Sequence, residues 1–268
     1  MKNHKAGSTI VLVLIMIYLL VPLLLTFTFS VFGNWTSMLP KNFTLRAYED
    51  MLATPRFFPD LLRTIIISVV PVAITVLIML LALYTVLIFF PRLEKFLQLL
   101  CMIPYAIQGV ILSVSIVSLY TRVPGFLSNR IFLLVGAYCI VILPYIFQGI
   151  RNAMRSVNMP MLIEAAEMLG ASKLEAFFKV IVPNIVPGIS VSALLSISML
   201  FGDWVVIRNI AGNAYENVSI LLYMTMNIVS VRTATAMFTV IFLVTLLISI
   251  LVFNLQSKTE GGTSREER

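Results

Sequence analysis

Residues 160–188 read PMLIEAAEMLGASKLEAFFKVIVPNIVPG, a charged and proline-punctuated stretch in a chain of 268 residues that is otherwise mostly apolar. Pro160 suits the first turn of a helix, where its missing N–H is not needed, and Asn158 or Met159 can stand before it. Leu162, Ala165, Ala166 and Leu169 follow at helical spacing, and Gly170 ends the segment. Ser172 can cap a second helix whose Leu174, Phe177 and Phe178 form an apolar edge between Lys173, Glu175 and Lys179. Pro183 and Pro187 are expected to stop that helix. Two short helices meeting at a glycine make a knuckle. Small Ala165 and Ala166 let a partner approach closely, while Glu164 and Glu167 offer charge for an ion pair or a cap. On physical grounds alone, an amphipathic helix pair lying on lipid fits the same pattern.

The flanking sequence decides where such a knuckle can sit. The chain is 60% hydrophobic and 12% charged, with a mean hydropathy of +1.01, whereas a globular domain is about a quarter charged. A helix needs about 20 apolar residues to cross the hydrocarbon of a bilayer. Six runs reach that length, at 10–32, 65–90, 96–120, 131–150, 189–207 and 234–253. The first is longer than a secretory signal core and lacks a small-x-small cleavage pattern, so it is expected to be a retained helix. Pro22, Pro71, Pro104 and Pro144 fall inside runs, where kinks rather than ends are expected.

Six spans place both termini on one side. The side that holds the termini also holds Arg92, Lys95, Arg151, Arg155, Lys173 and Lys179, and the excess of basic residues there, though small, points to the cytoplasm. Of the two long connectors, 33–64 mixes aromatics, prolines and scattered charge like an ordered extracytoplasmic loop, with a short helix expected at 45–52. The other is the knuckle, 158–188. A net charge of +7 in a multispan protein is read as loop charge facing anionic lipid rather than nucleic acid. Cys101 and Cys139 lie in apolar runs and the single histidine is His4, so neither a disulfide framework nor a metal site is expected. The tail 258–268 is polar and expected to be disordered.

Glu164-Ala165-Ala166, Leu169-Gly170-Ala171-Ser172, Phe177, Val180, Pro183, Pro187 and Gly188 closely resemble the cytoplasmic EAA loop of permease subunits in bacterial ABC importers. The match spans nearly the whole of 160–188 and falls between the fourth and fifth spans, where that family carries the loop. The resemblance implies an all-α integral membrane protein of the MetI-like ABC permease fold, one transmembrane domain over 1–268. Glu164, Ala165, Ala166 and Gly170 occupy the signature positions, and Leu169 with Phe177 is implied to form the hydrophobic contact with an ATPase. It further implies partners: a dimer of cytoplasmic ATP-binding subunits, a second permease subunit, a homologous heterodimer being favoured, and an extracytoplasmic solute-binding protein. The setting implied is the bacterial inner membrane, with both termini cytoplasmic. No GxxxxGK[ST] loop is present, so no catalytic residue and no bound cofactor are expected on this chain, ATP and Mg belonging to the partner.

An ionisable residue within a span marks a functional site by default, which singles out Asp203 in the fifth run. Trp204 beside it can stack on or wall off a solute, and Arg208 adds a positive charge. Alternatively, Asp203 is a structural group, either paired with Arg208 or wet at the outer end of the span. Serines at 190, 192, 196 and 198 more often serve close helix packing than a solute path. The stretch 195–226, LSISMLFGDWVVIRNIAGNAYENVSILLYMTM, is similar to the second permease of spermidine and putrescine importers, and less so to permeases for ferric iron or phosphonates. Where the polyamine subfamily has an acidic pair, this chain has Gly202 in place of one acid. The implied solute is a small charged molecule, a polyamine ahead of the others. An ATP-independent secondary transporter also spans a membrane this way, but no convincing internal repeat is present and one acid within the spans is thin for ion coupling.

Overall fold

The computed structural model describes residues 2–34, 41–107, 109–120, 123, 125–212 and 214–263. Gln108, Arg122 and Asn213 lie outside these, as do residues 264–268 of the tail. Nearly all of the described chain is helical, and four helices are long and apolar enough to cross a membrane: Val11–Val31, Phe57–Phe89, Arg130–Ser156 and Lys173–Phe201. A bent pair, Pro91–Ala106 and Gly109–Tyr120, passes the same test together. The chain is therefore a multi-pass membrane protein.

Two compact units emerge from the contacts. The first joins the chain up to Asp60 with Ile220–Leu247. Its helix α1 (Lys2–Val31) carries an apolar run with none of its window buried, as expected of a surface facing lipid tails or a partner helix. Strands β1 (Phe32–Asn34) and β2 (Lys41–Phe43) then pair antiparallel, with Phe32 opposite Phe43 and their rings 5.9 Å apart, edge to face. Helix α2 (Arg46–Leu52) agrees with the short helix expected at 45–52, and its Tyr48 hydroxyl is 2.7 Å from that of Ser30 in α1. From the other end of the chain, Arg232 donates to the Gly33 carbonyl.

The second unit comprises Leu61–Ser219 with the chain from Ile248 onward. Helix α3 (Phe57–Phe89) starts well ahead of the apolar run that begins at Ile65, because a helix need not stop where its hydrophobic face does; Asp60 and Arg63 ride in its first turns. Helices α4 (Glu94–Ala106) and α5 (Gly109–Tyr120) occupy the run read as a single third span, and they meet at 96°. Pro104 lies in the last turn of α4, and Ile107 beyond it is extended (φ −106°, ψ 107°), which ends the helix there.

Helix α6 (Arg130–Ser156) opens on an Asn129 cap whose side chain accepts from Ile131 and Phe132 N–H at 2.9 and 3.3 Å. It runs past the expected end at 150 so that Arg151 and Arg155 lie on its last turns. Its main neighbour is the helix that follows the knuckle. That helix begins as α8 (Lys173–Ala176), widens into a π-turn at Phe177–Ile181 and continues as α9 (Val182–Phe201). Here the expectation that Pro183 and Pro187 stop the helix is overturned. The wide turn ahead of Pro183 makes room for its ring, and the Asn184 amide takes up the Val180 carbonyl at 2.8 Å. α9 lies close against α6: a Cβ on Gly188 would sit 2.7 Å from that of Ala153. Ser192 and Ser196 are buried and return their hydroxyls to the carbonyls of Ile189 and Ser192, as packing residues do.

The fifth helix ends at Phe201 rather than at 207; Gly202, Asp203 and Trp204 form a break before α10 (Val205–Ile210). After α11 (Val218–Met224) and a π-turn at Thr225–Val229, helix α12 (Val231–Thr263) covers the run expected as the sixth span, of which Val231–Leu247 is an apolar helix shorter than the four that are long enough to cross, and it continues through residues 258–263 of the tail expected to be disordered.

Candidate functional site

The knuckle is built as its residues dictate. Helix α7 (Met159–Met168) has Pro160 in its first turn, and Gly170 follows at φ +87°, the left-handed region that a side chain strains to adopt. The Ala171 N–H returns to the Ala166 carbonyl at 3.0 Å and the Gly170 N–H to that of Glu167 at 2.9 Å, closing the turn. Ser172 then caps α8 in a reciprocal box: its hydroxyl accepts from the Glu175 N–H at 3.3 Å, and the Glu175 carboxylate accepts from the Ser172 N–H at 3.2 Å. Lys179 donates to the same carboxylate at 3.2 Å.

What this turn displays is apolar. Met168 and Leu169 are 89% and 90% exposed at its tip, with Met161 and Leu174 exposed beside them. Glu164, Ala165 and Gly170 are exposed as well, whereas Ala166 is buried against the body of the unit. Leu169 therefore stands in the open at the end of α7. Phe177, expected to share a contact with a partner, is fully buried in the chain itself, its ring 4.7 Å from that of Tyr84 on α3 and 5.3 Å from Phe178. Phe177 opens the π-turn with its ring packed against Tyr84, so it anchors the helix after the knuckle. Met168 takes the exposed place. Adjacency to Leu169 at the end of a helix was the sequence signal for it.

Behind the knuckle lies a cleft of about 790 Å³ lined by both signs of charge, including Glu94, Arg151, Arg155, Glu164, Glu167 and Lys173. Arg151 grips Glu94 at the start of α4 through two nitrogens, at 2.7 and 2.9 Å, and Arg155 reaches the same oxygen at 3.4 Å. Arg151 also lies 5.9 Å from the centre of the Phe147 ring. Lys173 approaches Glu167 at 3.9 Å across the turn. The first ties join α6 to α4 and the last closes the knuckle on itself, and the sequence signal for them was charge at the ends of apolar runs.

Asp203 occupies the break after α9. Its Oδ2 accepts from the Tyr138 hydroxyl of α6 at 2.9 Å and from the Val206 and Ile207 N–H groups at 3.1 and 3.2 Å. Trp204 and Arg208 are half-buried nearby, Trp204 in the break and Arg208 on α10. The three residues singled out in the sequence thus lie on one short segment. Tyr138, 1% exposed, is the partner that sequence reasoning missed; a tyrosine in an otherwise aliphatic stretch of α6 was its only mark. Among the described residues, no group of three or more His, Cys, Asp or Glu side chains is placed to hold a metal ion.

This arrangement has relatives. The chain is 27% identical over 228 residues to the spermidine/putrescine transport system permease protein PotC homolog of Mycoplasma genitalium, covering 79% of this chain and 78% of that protein. It is 25% identical over 174 residues, 58% of its own length, to the sulfate transport system permease protein CysT of Salmonella typhimurium, and the match spans 61% of that permease. No protein-family model matches the chain. In fold, it is similar to a chain of a bacterial ABC transporter that imports the acidic polysaccharide alginate, with a TM-score of 0.69 at 15% identity, over 96% of this chain and 98% of that one. A chain of the MetNI methionine ABC transporter, in inward-facing conformations, gives 0.62 at 16% identity, over 78% and 98%. The fold is the MetI-like fold of ABC importer permeases. In sequence the chain is similar to transport-system permeases, polyamine and sulfate permeases both among them.

Proposed function

We propose that this chain is the transmembrane permease subunit of an ATP-driven importer, moving a small charged solute inward by alternating access. The observation that carries the reading is the knuckle: a helix, a left-handed Gly170 and a capped second helix that presents Met168 and Leu169 to solvent on a fold shared with ABC importers. An apolar tip of this kind, fixed by hydrogen bonds and backed by ion pairs, is suited to seat in a cleft of another protein. Closure of two ATP-binding subunits would pull the docked knuckle, and the rigid run from α8 through α9 would carry the movement to the break at Asp203. ATP and Mg stay on those subunits. Chemistry ends at their interface, and this chain supplies only the moving path.

The assembly proposed is two permease subunits, this chain and a homologous partner, with a dimer of ATP-binding subunits on the cytoplasmic side and a solute-binding protein outside. It lies in the bacterial inner membrane, surrounded by lipid, with both termini in the cytoplasm. A polyamine is the leading solute, supported by the length of the match to the PotC homolog. A small oxyanion is the second reading, supported by the sulfate permease relative and by Arg208 beside the break. Of the solute-path residues, Trp204 and Arg208 are proposed to face the path.

Purification of the tagged chain from its native membrane in mild detergent, with mass spectrometry of what remains bound, tests this. An ATP-hydrolysing subunit in stoichiometric amount is the expected result. A homo-oligomer without one, even after crosslinking, would transfer the reading to a secondary transporter.

A further inference from the structure

We propose that Tyr138 is a positioning residue for the outer part of the transport path, and that Asp203, through which it acts, serves as a hydrogen-bond acceptor rather than as a charge for solute. This deepens the permease reading above and rests on it. All of the residues involved belong to one unit of the fold.

Asp203 has three donors on one oxygen: the Tyr138 hydroxyl and the N–H groups of Val206 and Ile207. The last two are the first-turn donors of α10, which an intrahelical carbonyl cannot reach. A carboxylate at that position is therefore a cap, and the Tyr138 hydroxyl fixes which way it faces. Asn217 adds a bond to the Asp203 carbonyl at 3.4 Å, and Ser219 bonds the Phe201 carbonyl at 3.1 Å, so the segment that follows is tied to the same break.

The far end of α10 is held separately. Asn209 donates to Ser113 of α5 at 2.9 Å, and Ser113 is fully buried. Val206, Ile207 and Ile210 are buried on the same helix. A six-residue helix has too few internal hydrogen bonds to stand by itself, so its direction is decided by these outside ties. Tyr138, rooted in α6, sets one end and Ser113, rooted in α5, sets the other. Movement of α6 during transport then reaches the start of α10 through the Tyr138–Asp203 bond, beside the covalent link that ties α10 to α9.

The two roles of Asp203 part company on substitution. Asparagine keeps an acceptor oxygen in the same place, facing the same donors, and removes the charge. Alanine removes the acceptor. A solute-binding charge is lost in both; a cap is lost only in the second.

The test uses disulfide formation between Ser113→Cys and Asn209→Cys in the full chain in native membranes, with each single cysteine variant as control for Cys101 and Cys139. The yield of this bond reads docking of α10 on α5 and needs no knowledge of the solute. Tyr138→Phe is expected to slow its formation by about tenfold, the size of one lost hydrogen bond to a charged group. Asp203→Ala, which takes the acceptor from all three donors, is expected to slow it at least as much, the double variant no further than Asp203→Ala alone, and Asp203→Asn by less than about twofold. ATP hydrolysis by the co-purified complex supplies the second readout: loosened coupling in Tyr138→Phe and Asp203→Ala raises solute-independent hydrolysis, which misfolding would only lower. Unchanged disulfide formation in Tyr138→Phe, or equal loss in Asp203→Asn and Asp203→Ala, overturns the proposal. Absence of any ATPase in the complex would instead overturn the importer reading, with the disulfide result still deciding the role of Tyr138.

Discussion

Gly170 is where a single residue controls the most. At φ +87° a β-carbon costs roughly 1–3 kcal/mol of backbone strain. Yet no atom lies within 4 Å of the place it would occupy, so the cost is conformational and not a clash. Gly170→Val is therefore expected to insert and fold but to present Met168 and Leu169 at the wrong angle, reducing the ATPase recovered with the chain several-fold. Unchanged recovery would remove the knuckle geometry from the account. Phe177 makes the complementary case. Its ring is fully buried against Tyr84, and Phe177→Ala leaves a cavity costing about 3–5 kcal/mol. A clear fall in the melting temperature of the detergent-solubilised chain is the expected outcome, with no fall marking Phe177 as peripheral to the fold.

At the scale of elements, the approach of α9 to α6 is the contact that the second unit is built around. Within lipid, apolar side chains gain little by leaving a hydrocarbon solvent, so helices associate through close packing of small residues. Gly188 against Ala153 and the inward Ser192 and Ser196 supply it. Gly188→Leu should force the helices apart near the knuckle, and the expected sign is aggregation in size-exclusion chromatography at a temperature the native chain survives. A monodisperse profile would mean that the approach is not needed. Much of this scale was legible in sequence: the caps at Ser172 and Gly170, the apolar runs, and the packing role of the serines all follow from local chemistry. The continuity through Pro183 and Pro187 was not: the helix reaches Pro183 through a π-turn that no residue pattern announces, and runs on with Pro187 inside it. Neither was the end of the fifth helix at Phe201. There the apolar run continues through Val205, Val206 and Ile207, and only the hydrogen bonds of Asp203 with α6 and α10 show that the chain has turned.

On the scale of the whole molecule, composition gave the membrane and a short loop gave the class, since each is carried by properties that need no tertiary contact. The site was half visible. Glu164, Ala165, Leu169 and Gly170, singled out by the resemblance of the loop, lie exposed on the turn, while the burial of Phe177 and the bond from Tyr138 are long-range facts that sequence spacing does not encode. The solute is the least legible feature, because it depends on a few polar groups in a path that one permease chain forms only in part. The account stands on the claim that the knuckle tip meets an ATP-binding subunit. Its most direct test is a photo-crosslinking amino acid placed at Leu169 and, separately, at Phe177 in native membranes. The expected result is a covalent adduct with an ATP-hydrolysing subunit from position 169 and none from position 177. An adduct only with lipid from position 169 would contradict it, leaving the knuckle as a helix pair lying on the membrane.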